Sequence, residues 1–329
     1  MDGSRELLRN EDEDIVCSNA KVLAGENREG NNDPLWTISW PGLNAIYGKS
    51  YNDYPVEWDK LFEKNTSDRA YEEDLGLSSF GLAAQKAEGA PITYDTERQG
   101  FTTRYSHVVY GLGFIITREI YEDDLYGKVG AQKAKALARS MRQTKEIIGA
   151  NIYNRAFTST YTGGDGKEMI ATDHPNVSGG TFSNELATPA DLSEAALEQA
   201  VIDIAGFRDD RGLLIAAKPE KLIIPYQLQF EAKRILDTDL RYQTADNDLN
   251  AIKEMGLFRE VVVNHYLTDS DAWFIKTNVQ DGVKYFERRA DQFEMDNDFD
   301  TENAKFKATA RYSFGWSDPR GIYGSAGAT

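Results

Sequence analysis

The sequence predicts an α+β protein in which one long helix and one long strand accompany a compact α/β body. Residues 125–157 contain no proline, and their apolar side chains recur at steps of three and four, which places them on one face of a helix. Residues 305–316 (KFKATARYSFGW) alternate apolar or aromatic side chains with cationic or small polar ones, the pattern of a two-faced strand. Residues 188–280 carry the short helix and strand patterns of a compact unit.

The long helix and the long strand have similar predicted lengths. At 1.5 Å per residue the helix spans about 50 Å, and at ~3.3 Å per residue the strand spans about 40 Å, roughly twice the usual strand length. The even face of the strand is expected to pack on the body of the protein. Its members are Phe306, Ala308, Ala310, Tyr312, Phe314 and Trp316. The odd face, which includes Ser313, is expected to be solvated.

Composition limits the classes of protein and partner that the chain can represent. Its 329 residues are 40% hydrophobic, which is enough for a sizeable core and favours two packed subdomains. The 54 acidic and 37 basic residues give a net charge of −17, which argues against tight binding to a nucleic-acid backbone. Cys17 is the only cysteine, which excludes an intrachain disulfide and a cysteine-based zinc site.

The chain shows no targeting or membrane-spanning pattern. Its opening segment, MDGSRELLRNEDED, is polar and acidic where a secretory signal would be basic and then apolar. The longest apolar runs, such as LLIAA at 213–217, are too short to cross a bilayer. We expect a soluble protein that folds in a reducing compartment.

The first third of the chain predicts an arm, a short helix and a projecting hairpin. Residues 1–33 are rich in charge, asparagine and glycine and predict an extended or disordered arm. VEWDKLFEK at 56–64 predicts a short helix. ITYDT at 92–96 and FTTRYSHVVY at 101–110 predict two strands joined by a turn at ERQG. Much of this segment is polar on both faces, so we expect it to project from the body.

The second half of the chain predicts a long loop followed by alternating helices and strands. Residues 161–186 are punctuated by glycine and proline and predict a long loop or a hairpin. The predicted helices lie at 188–207, 226–236 and 247–256, and the predicted strands at 221–225, 260–266, 272–277 and 283–289.

No group of side chains predicts catalysis, metal binding or cofactor binding. The three histidines, none spaced with another as a metal pair on a helix, are His107, His174 and His265. DNDFDTEN at 296–303 is not a calcium loop, because Thr301 stands in place of the required glycine and Lys307 in place of the bidentate glutamate. GGDGKE at 163–168 lacks the first glycine and the final serine or threonine of a phosphate loop. We therefore expect no catalytic residue, no metal ligand and no cofactor.

Eight long stretches of the chain carry a family resemblance. They are WPGLNAIYG, TSDRAYEEDLGLSSFG, QGFTTRYSHVVYGLGFIITRE, SMRQTKEIIGANIYNRAF, YTGGDGK, DRGLLIAAKPEKLIIP, VVVNHYLTDSDAWFIKTN and DFDTENAKFKATARYSFGWSDPRGIYGS. These stretches resemble the major capsid proteins of tailed bacteriophages, which have the Hong Kong ninety-seven-like capsid fold, and in particular the shell proteins of Mu-like heads. The resemblance covers residues 36–326 and leaves residues 1–33 without a counterpart.

The resemblance implies a Hong Kong ninety-seven-like capsid fold with an N-terminal arm, an extended loop, a peripheral domain and an axial domain. The peripheral domain would contain a spine helix at 125–157, along which a strand at 302–316 returns, and the axial domain would surround the five- and six-fold positions of a shell. The implied boundaries are 1–35 for the arm, 36–65, 116–187 and 281–316 for the peripheral domain, 66–115 for the extended loop, 188–280 for the axial domain and 317–329 for a C-terminal tail.

The resemblance also implies a function. The chain would be a non-enzymatic major capsid protein that assembles as pentamers and hexamers into an icosahedral shell around double-stranded DNA, without sequence-specific contacts and without a membrane. Its other partners would be a scaffold, a portal and cement or decoration proteins, with assembly in the cytoplasm of the host bacterium and a final place in the virion. The acidic composition suits this role, because a basic shell would adhere to the packaged genome.

One property of some relatives is not carried over, and two other interpretations stay open. Lys86 is the only lysine between positions 65 and 127, but no motif matches the site at which some relatives crosslink a loop lysine to a neighbouring asparagine. The chain could instead be another virion module, such as a tail or adhesin domain. A hydrolase built on Asp173 and His174 is a third class. Particle size separates these interpretations, since only a capsid protein forms closed megadalton shells.

Overall fold

The computed structural model describes residues 36–89, 91–123, 126–240, 249–298 and 300–328. The predicted arm at 1–35, and Cys17 with it, lies outside the described residues. The chain divides into two compact units. The first comprises residues 1–55, 110–143 and 291–310, and the second comprises residues 56–109, 144–290 and 311–329.

The described residues contain helices and strands in a mixed order. The α-helices are α1 (Trp36–Asp53), α2 (Arg118–Glu122), α3 (Tyr126–Asn154), α4 (Glu194–Ala205), α5 (Gln229–Asp237) and α6 (Ala251–Met255). Short 3₁₀ helices lie at Trp58–Lys60, Tyr226–Leu228 and Pro319–Gly321. The strands are β1 (Glu63–Thr66), β2 (Tyr71–Leu77), β3 (Gln99–Ser106), β4 (Val108–Ile116), β5 (His174–Pro175), β6 (Thr181–Phe182), β7 (Pro219–Pro225), β8 (Glu260–Asn264), β9 (Trp273–Thr277), β10 (Val283–Asn297), β11 (Ala304–Trp316) and β12 (Ile322–Ser325).

The long helix predicted at 125–157 is confirmed as α3. Its apolar row is buried at Ala134, Leu137 and Met141, and Ala156 just beyond its end is buried too. The row recurs at helical spacing because side chains three and four residues apart share one face. The helix therefore buries one long stripe, as its sequence pattern predicts.

The long strand is confirmed as β11, in a four-stranded sheet of order β1-β10-β11-β4. Strand β10 continues to Asn297, well beyond the predicted 283–289. On the even face of β11, Phe306, Ala308 and Tyr312 are buried as expected, whereas Phe314 and Trp316 are only partly buried. Strand β1 pairs with β10 in parallel, which brings Glu63 opposite Lys284.

The expected solvation of the whole odd face of β11 is wrong at Ser313. This side chain is 9% exposed. Its Oγ lies 2.9 Å from Nδ1 of His107, which follows strand β3. The last part of the sheet is therefore covered on both faces, because the chain between β3 and β4 packs on the face that alternation alone assigns to solvent.

The helix predicted at 56–64 is wrong, and α1 is an element that the sequence analysis did not predict. Residues 58–60 form a single 3₁₀ turn, and the chain then enters β1. Glu146 of α3 fixes this turn, since its carboxylate accepts hydrogen bonds from the backbone N–H groups of Glu57 (3.1 Å) and Trp58 (2.9 Å). A tertiary contact therefore overrides the local helical pattern.

The hairpin predicted between 92–96 and 101–110 is also wrong. Strand β3 pairs instead with β2, with Tyr71 opposite Ser106, and residues 78–89 and 91–98 contain neither helix nor strand. Gly76 and Gly100 lie face to face, and a Cβ on Gly100 would approach the carbonyl oxygen of Gly76 to 2.8 Å. Gly100 serves close strand approach rather than a turn.

The second unit contains the compact α/β body, built on a sheet of order β12-β9-β7-β8. Strands β7 and β8 are parallel, whereas β9 runs antiparallel to β7 and to β12. Leu197, Ile204 and Leu222 are fully buried in its core. The expectation of a tail at 317–329 is corrected, because β12 completes this sheet and Tyr323 has no exposed surface.

Candidate assembly surfaces

The two-stranded ribbon of β2 and β3, with the loop between them, exposes an unusual concentration of large apolar side chains. Tyr94 is 91% exposed and Leu82 83% exposed. The set comprises Tyr71, Leu75, Leu77, Phe80, Leu82, Ile92, Tyr94 and Phe101. Exposed apolar patches of this kind mark surfaces that bind other molecules. The sequence pattern did not reveal this exposed set, because half of its members lie in irregular chain between the two strands.

The root of the ribbon, which is its end away from the loop, is linked to β10 by a network of charged and polar side chains. Lys284 Nζ lies 2.6 Å from Asp74 Oδ2 and 2.5 Å from Asp281 Oδ1. Burial disfavours the charged form of Lys284, but the hydrogen bonds to Asp281 and Asp74 outweigh burial and raise its pKa. Ser317 Oγ donates to Asp74 Oδ2 at 2.6 Å and lies 2.6 Å from Tyr105 Oη. The network joins both strands of the ribbon to the chain around β10 and β11.

A second network at the root centres on His107, which is buried. Its Nδ1 lies 2.9 Å from Ser313 Oγ and its Nε2 lies 3.0 Å from Ser67 Oγ. Ser67 Oγ donates to Glu72 Oε1 at 2.7 Å, so Nε2 carries the proton and Nδ1 accepts from Ser313. Burial and the neighbouring Arg311 lower the pKa of His107. The imidazole is therefore held neutral at the junction of four chain segments.

In the first unit, β11 and β4 pack closely and present a mixed surface. Lys307 Nζ lies 2.9 Å from Glu294 Oε2 of the adjacent β10. A Cβ on Gly113 would lie 2.5 Å from the carbonyl oxygen of Phe306, so only glycine permits this approach of β4 to β11. Leu112 and Ile115 on the outer strand are about half exposed. Strand β4 is the last strand of this sheet among the described residues, and it offers apolar surface to a partner.

The α/β body of the second unit has its own exposed apolar side chains. They are Ile202, Leu214, Tyr226, Phe230, Leu240, Leu249, Met255 and Val261. Helix α6 is fixed by Asn250, whose Oδ1 accepts from the backbone N–H of Lys253 at 3.2 Å and whose side-chain amide donates to the carbonyls of Ile235 and Thr238. Met255 is therefore displayed on a helix whose start is fixed by side-chain hydrogen bonds.

The residues of the hydrolase interpretation are not paired with each other. Asp173 forms an ion pair with Lys167 at 2.5 Å, whereas His174 Nδ1 lies 2.6 Å from Asp165 Oδ2. His174 stacks on Phe182 and has no exposed surface. Exposed His265 lies against Glu57, with 2.6 Å between Nδ1 and Oε1. Asp173 and His174 therefore have different partners, and the structure does not join them in one hydrogen-bonded pair.

The described part of the chain holds neither a candidate metal site nor a helix that could cross a membrane. Among those residues, no group of three or more histidine, cysteine, aspartate or glutamate side chains could hold a metal ion. Within the same residues, no helix combines the length and the apolarity needed to cross a membrane.

Comparison with solved structures shows the fold. The chain is similar to the virus-like particle protein of Pyrococcus furiosus, with 12% identity over 87% of this chain and 98% of that chain, at a TM-score of 0.51. It is also similar to the procapsid protein of bacteriophage JBD30 (13% identity, 90% of this chain, 77% of that chain, TM-score 0.49). The capsid protein of Myoviridae phage XM1 shows 9% identity over 84% of this chain and 93% of that chain, with a TM-score of 0.47. The expected Hong Kong ninety-seven-like capsid fold is confirmed.

Comparison with protein families identifies the chain. The family described as phage capsid protein matches residues 100–325, well over half of the 329 residues. The chain therefore belongs to the phage capsid protein family. Its function is that of a structural protein of a phage capsid, and its place is the virion. No curated protein matches the sequence.

Proposed function

We propose that this chain builds the icosahedral shell of a Mu-like phage head, as pentamers and hexamers, around double-stranded DNA. The observation that carries the proposal is the exposed apolar ribbon. Its loop between β2 and β3 displays Phe80, Leu82, Ile92 and Tyr94 with little cover from its own chain. Burying such side chains on a neighbour is the main source of association free energy, at about 25 cal/mol per Å² of apolar surface.

The two root networks support a ribbon that is displayed rather than folded back as core. The buried contacts of Lys284 with Asp74, and of His107 with Ser67 and Ser313, fix where the ribbon leaves the body. Beyond the strand ends at Leu77 and Gln99, the described residues of the loop contain neither helix nor strand. The ribbon is fixed where it leaves the body and is apolar at its far end, as expected of a segment that lies on an adjacent copy of the chain. The boundaries 66–115 for the extended loop and 188–280 for the axial domain remain part of this proposal.

The remaining partners and the place of assembly follow from the same role. The net charge of −17 favours a shell that encloses DNA without adhering to it, so contacts with the genome are not sequence-specific. A scaffold and a portal would act during assembly in the host cytoplasm, and cement or decoration proteins could bind the finished shell. The role is structural, with no catalytic step and no cofactor.

Assembly of the purified full-length protein tests the proposal. Expressed with any scaffold that it needs, the wild-type chain should sediment as particles of uniform diameter. Replacing residues 80–94 by a short Gly-Ser link should leave soluble subunits that form no stable shell, because this segment lies beyond the buried root. A matched variant, Leu82→Ser with Tyr94→Ser, should weaken assembly without changing subunit stability. Normal shells from the linked variant would contradict the proposed role of the ribbon.

A further inference from the structure

The loop between β2 and β3 is held against one turn of its own chain. Arg211 Nη2 donates hydrogen bonds to the carbonyl oxygen of Thr96 (2.7 Å) and to Asp95 Oδ1 (3.4 Å). Ser79 Oγ donates to Asp209 Oδ2. The two ends of the loop are thus fixed by two residues of a single turn, and all of these residues belong to the second unit.

The turn that receives the loop is stabilised by hydrogen bonds within itself. Asp209 Oδ1 accepts from the backbone N–H groups of Arg211 (2.9 Å) and Leu213 (2.8 Å). Gly212 takes a φ of 81°, in the left-handed region that glycine adopts without strain. Arg208 and Leu214 form an isolated antiparallel bridge across the base of the turn. The conformation of the turn therefore rests on contacts that do not involve the loop.

The loop, like the turn, is stabilised by hydrogen bonds within itself around Asp95. Asp95 accepts hydrogen bonds from the backbone N–H groups of Gly81 and Thr96, both at 2.8 Å. These two bonds and Arg211 lower the pKa of Asp95, so the contact is ionic at neutral pH. Both charged partners stay in contact with water, since the side chain of Arg211 is 23% exposed and that of Asp95 41% exposed.

The docked loop is fixed by polar contacts and leaves its apolar side chains uncovered. Phe80, Leu82 and Tyr94 are all more than half exposed in this position. A solvent-open pocket of about 310 Å³ lies where the start of the loop meets the body. Its lining includes Leu77, Ser79, Asp209, Ile215, Val279 and Arg320. Because this pocket is open to solvent and Phe80, Leu82 and Tyr94 stay exposed, the loop rests on the body without burying its apolar side chains there.

We propose that this contact is a latch of the unassembled subunit, which holds the loop on its own chain until the loop transfers to a second copy. The inference rests on the proposed shell function. Exposed ion pairs and hydrogen bonds are individually weak and reversible, whereas burial of several apolar side chains on a neighbour is favourable. A second copy therefore competes successfully for the loop, and the latch delays that exchange.

Hydrogen exchange on unassembled full-length subunits tests the latch. Arg211→Gln and Ser79→Ala should each speed exchange of the loop amides, including those of Gly81 and Thr96, by about three- to tenfold. Each variant should also shorten the lag of shell formation, measured by light scattering. The control is Arg259→Gln, which removes an exposed ion pair to Glu220 elsewhere in the same unit and should change neither reading.

The possible results distinguish failure of the proposed latch from failure of the proposed shell function. Unchanged loop exchange in both variants would show that the contact does not hold the loop. Faster exchange with an unchanged or longer lag would show that the contact does not compete with assembly. Failure of the wild-type chain to form shells would contradict the proposed function instead, because loop exchange is measured on the subunit alone.

Discussion

Replacement of Phe306 by alanine should strongly destabilise the first unit. Its ring is almost completely buried on the even face of β11. It stacks on Phe114 at 4.9 Å and on Phe293 at 6.0 Å between ring centroids. Truncating a buried phenylalanine leaves a cavity and costs about 3–5 kcal/mol. That is a large fraction of the roughly 5–15 kcal/mol of unfolding free energy that a domain possesses.

Lys307 provides a matched control one residue further along the same strand. It points to the opposite face, is exposed, and contacts Glu294 across the strand pair. Surface substitutions of this kind change the free energy of unfolding by no more than about 0.5 kcal/mol. Lys307→Ala should therefore be nearly silent. Because the two residues are adjacent on one strand, comparing the two variants shows how much the cost of a substitution depends on the face that carries the side chain.

Urea unfolding of unassembled subunits measures the difference. With a slope of about 1–3 kcal/mol/M, the transition of the first unit should move down by about 1–5 M in Phe306→Ala and stay in place in Lys307→Ala. Because the chain has two units, hydrogen exchange within residues 291–310 should assign the affected transition. Equal shifts in the two variants would refute the two-faced interpretation of β11.

Three further predictions concern the second unit. Glu146→Ala should cost about 2–5 kcal/mol in the free energy of unfolding, because two backbone N–H groups beside Trp58 lose their acceptor; urea unfolding should show no comparable loss in the exposed Ile147→Ala. Ser313→Asp should lower the melting temperature clearly, because the new carboxylate is buried beside His107. An unchanged melting temperature would instead support the expectation that the odd face of β11 is solvated. His107 has a pKa below its ordinary value of 6.5, so the unfolded chain binds its proton more readily and stability should fall as pH drops below about 6.5; His107→Gln should flatten this dependence, and an unchanged slope would exclude His107 as its source.

The sequence predicts those elements whose period is regular over many residues. Helix α3 keeps apolar side chains at helical spacing from Ala134 to Met141, and β11 alternates along its length, so both could be predicted without a partner element. The α/β body is likewise predictable, because the apolar strands around Leu222 and Ile275 are fully buried. In each of these cases the local pattern and the final packing agree.

The failures share one physical cause, which is contact between segments distant in sequence. The segment around Trp58 has a helical pattern, but the carboxylate of Glu146 holds it in a 3₁₀ turn. Ser313 has the alternation of a solvated residue, but His107 covers it. The pairing of β2 with β3 needs Gly76 and Gly100 to meet across more than twenty intervening residues. No local period encodes these contacts.

The candidate assembly surface was predictable only in outline. The resemblance to capsid proteins implied an extended loop at 66–115, but single-sequence patterns did not reveal the exposed Leu82 and Tyr94, which lie in irregular chain. The contact of Arg211 with Thr96 was equally hidden, because it joins a turn of the body to a loop more than a hundred residues earlier. Such contacts require the fold itself.

Negative-stain electron microscopy of the purified full-length protein, expressed with any scaffold partner that it needs, tests the central claim most directly. Heterologous contacts that close as rings of five and six copies should give hollow particles of one diameter. The same preparation should sediment as a single fast species. A stable monomer or dimer under all such conditions would contradict the assignment of this chain as a shell-forming capsid protein.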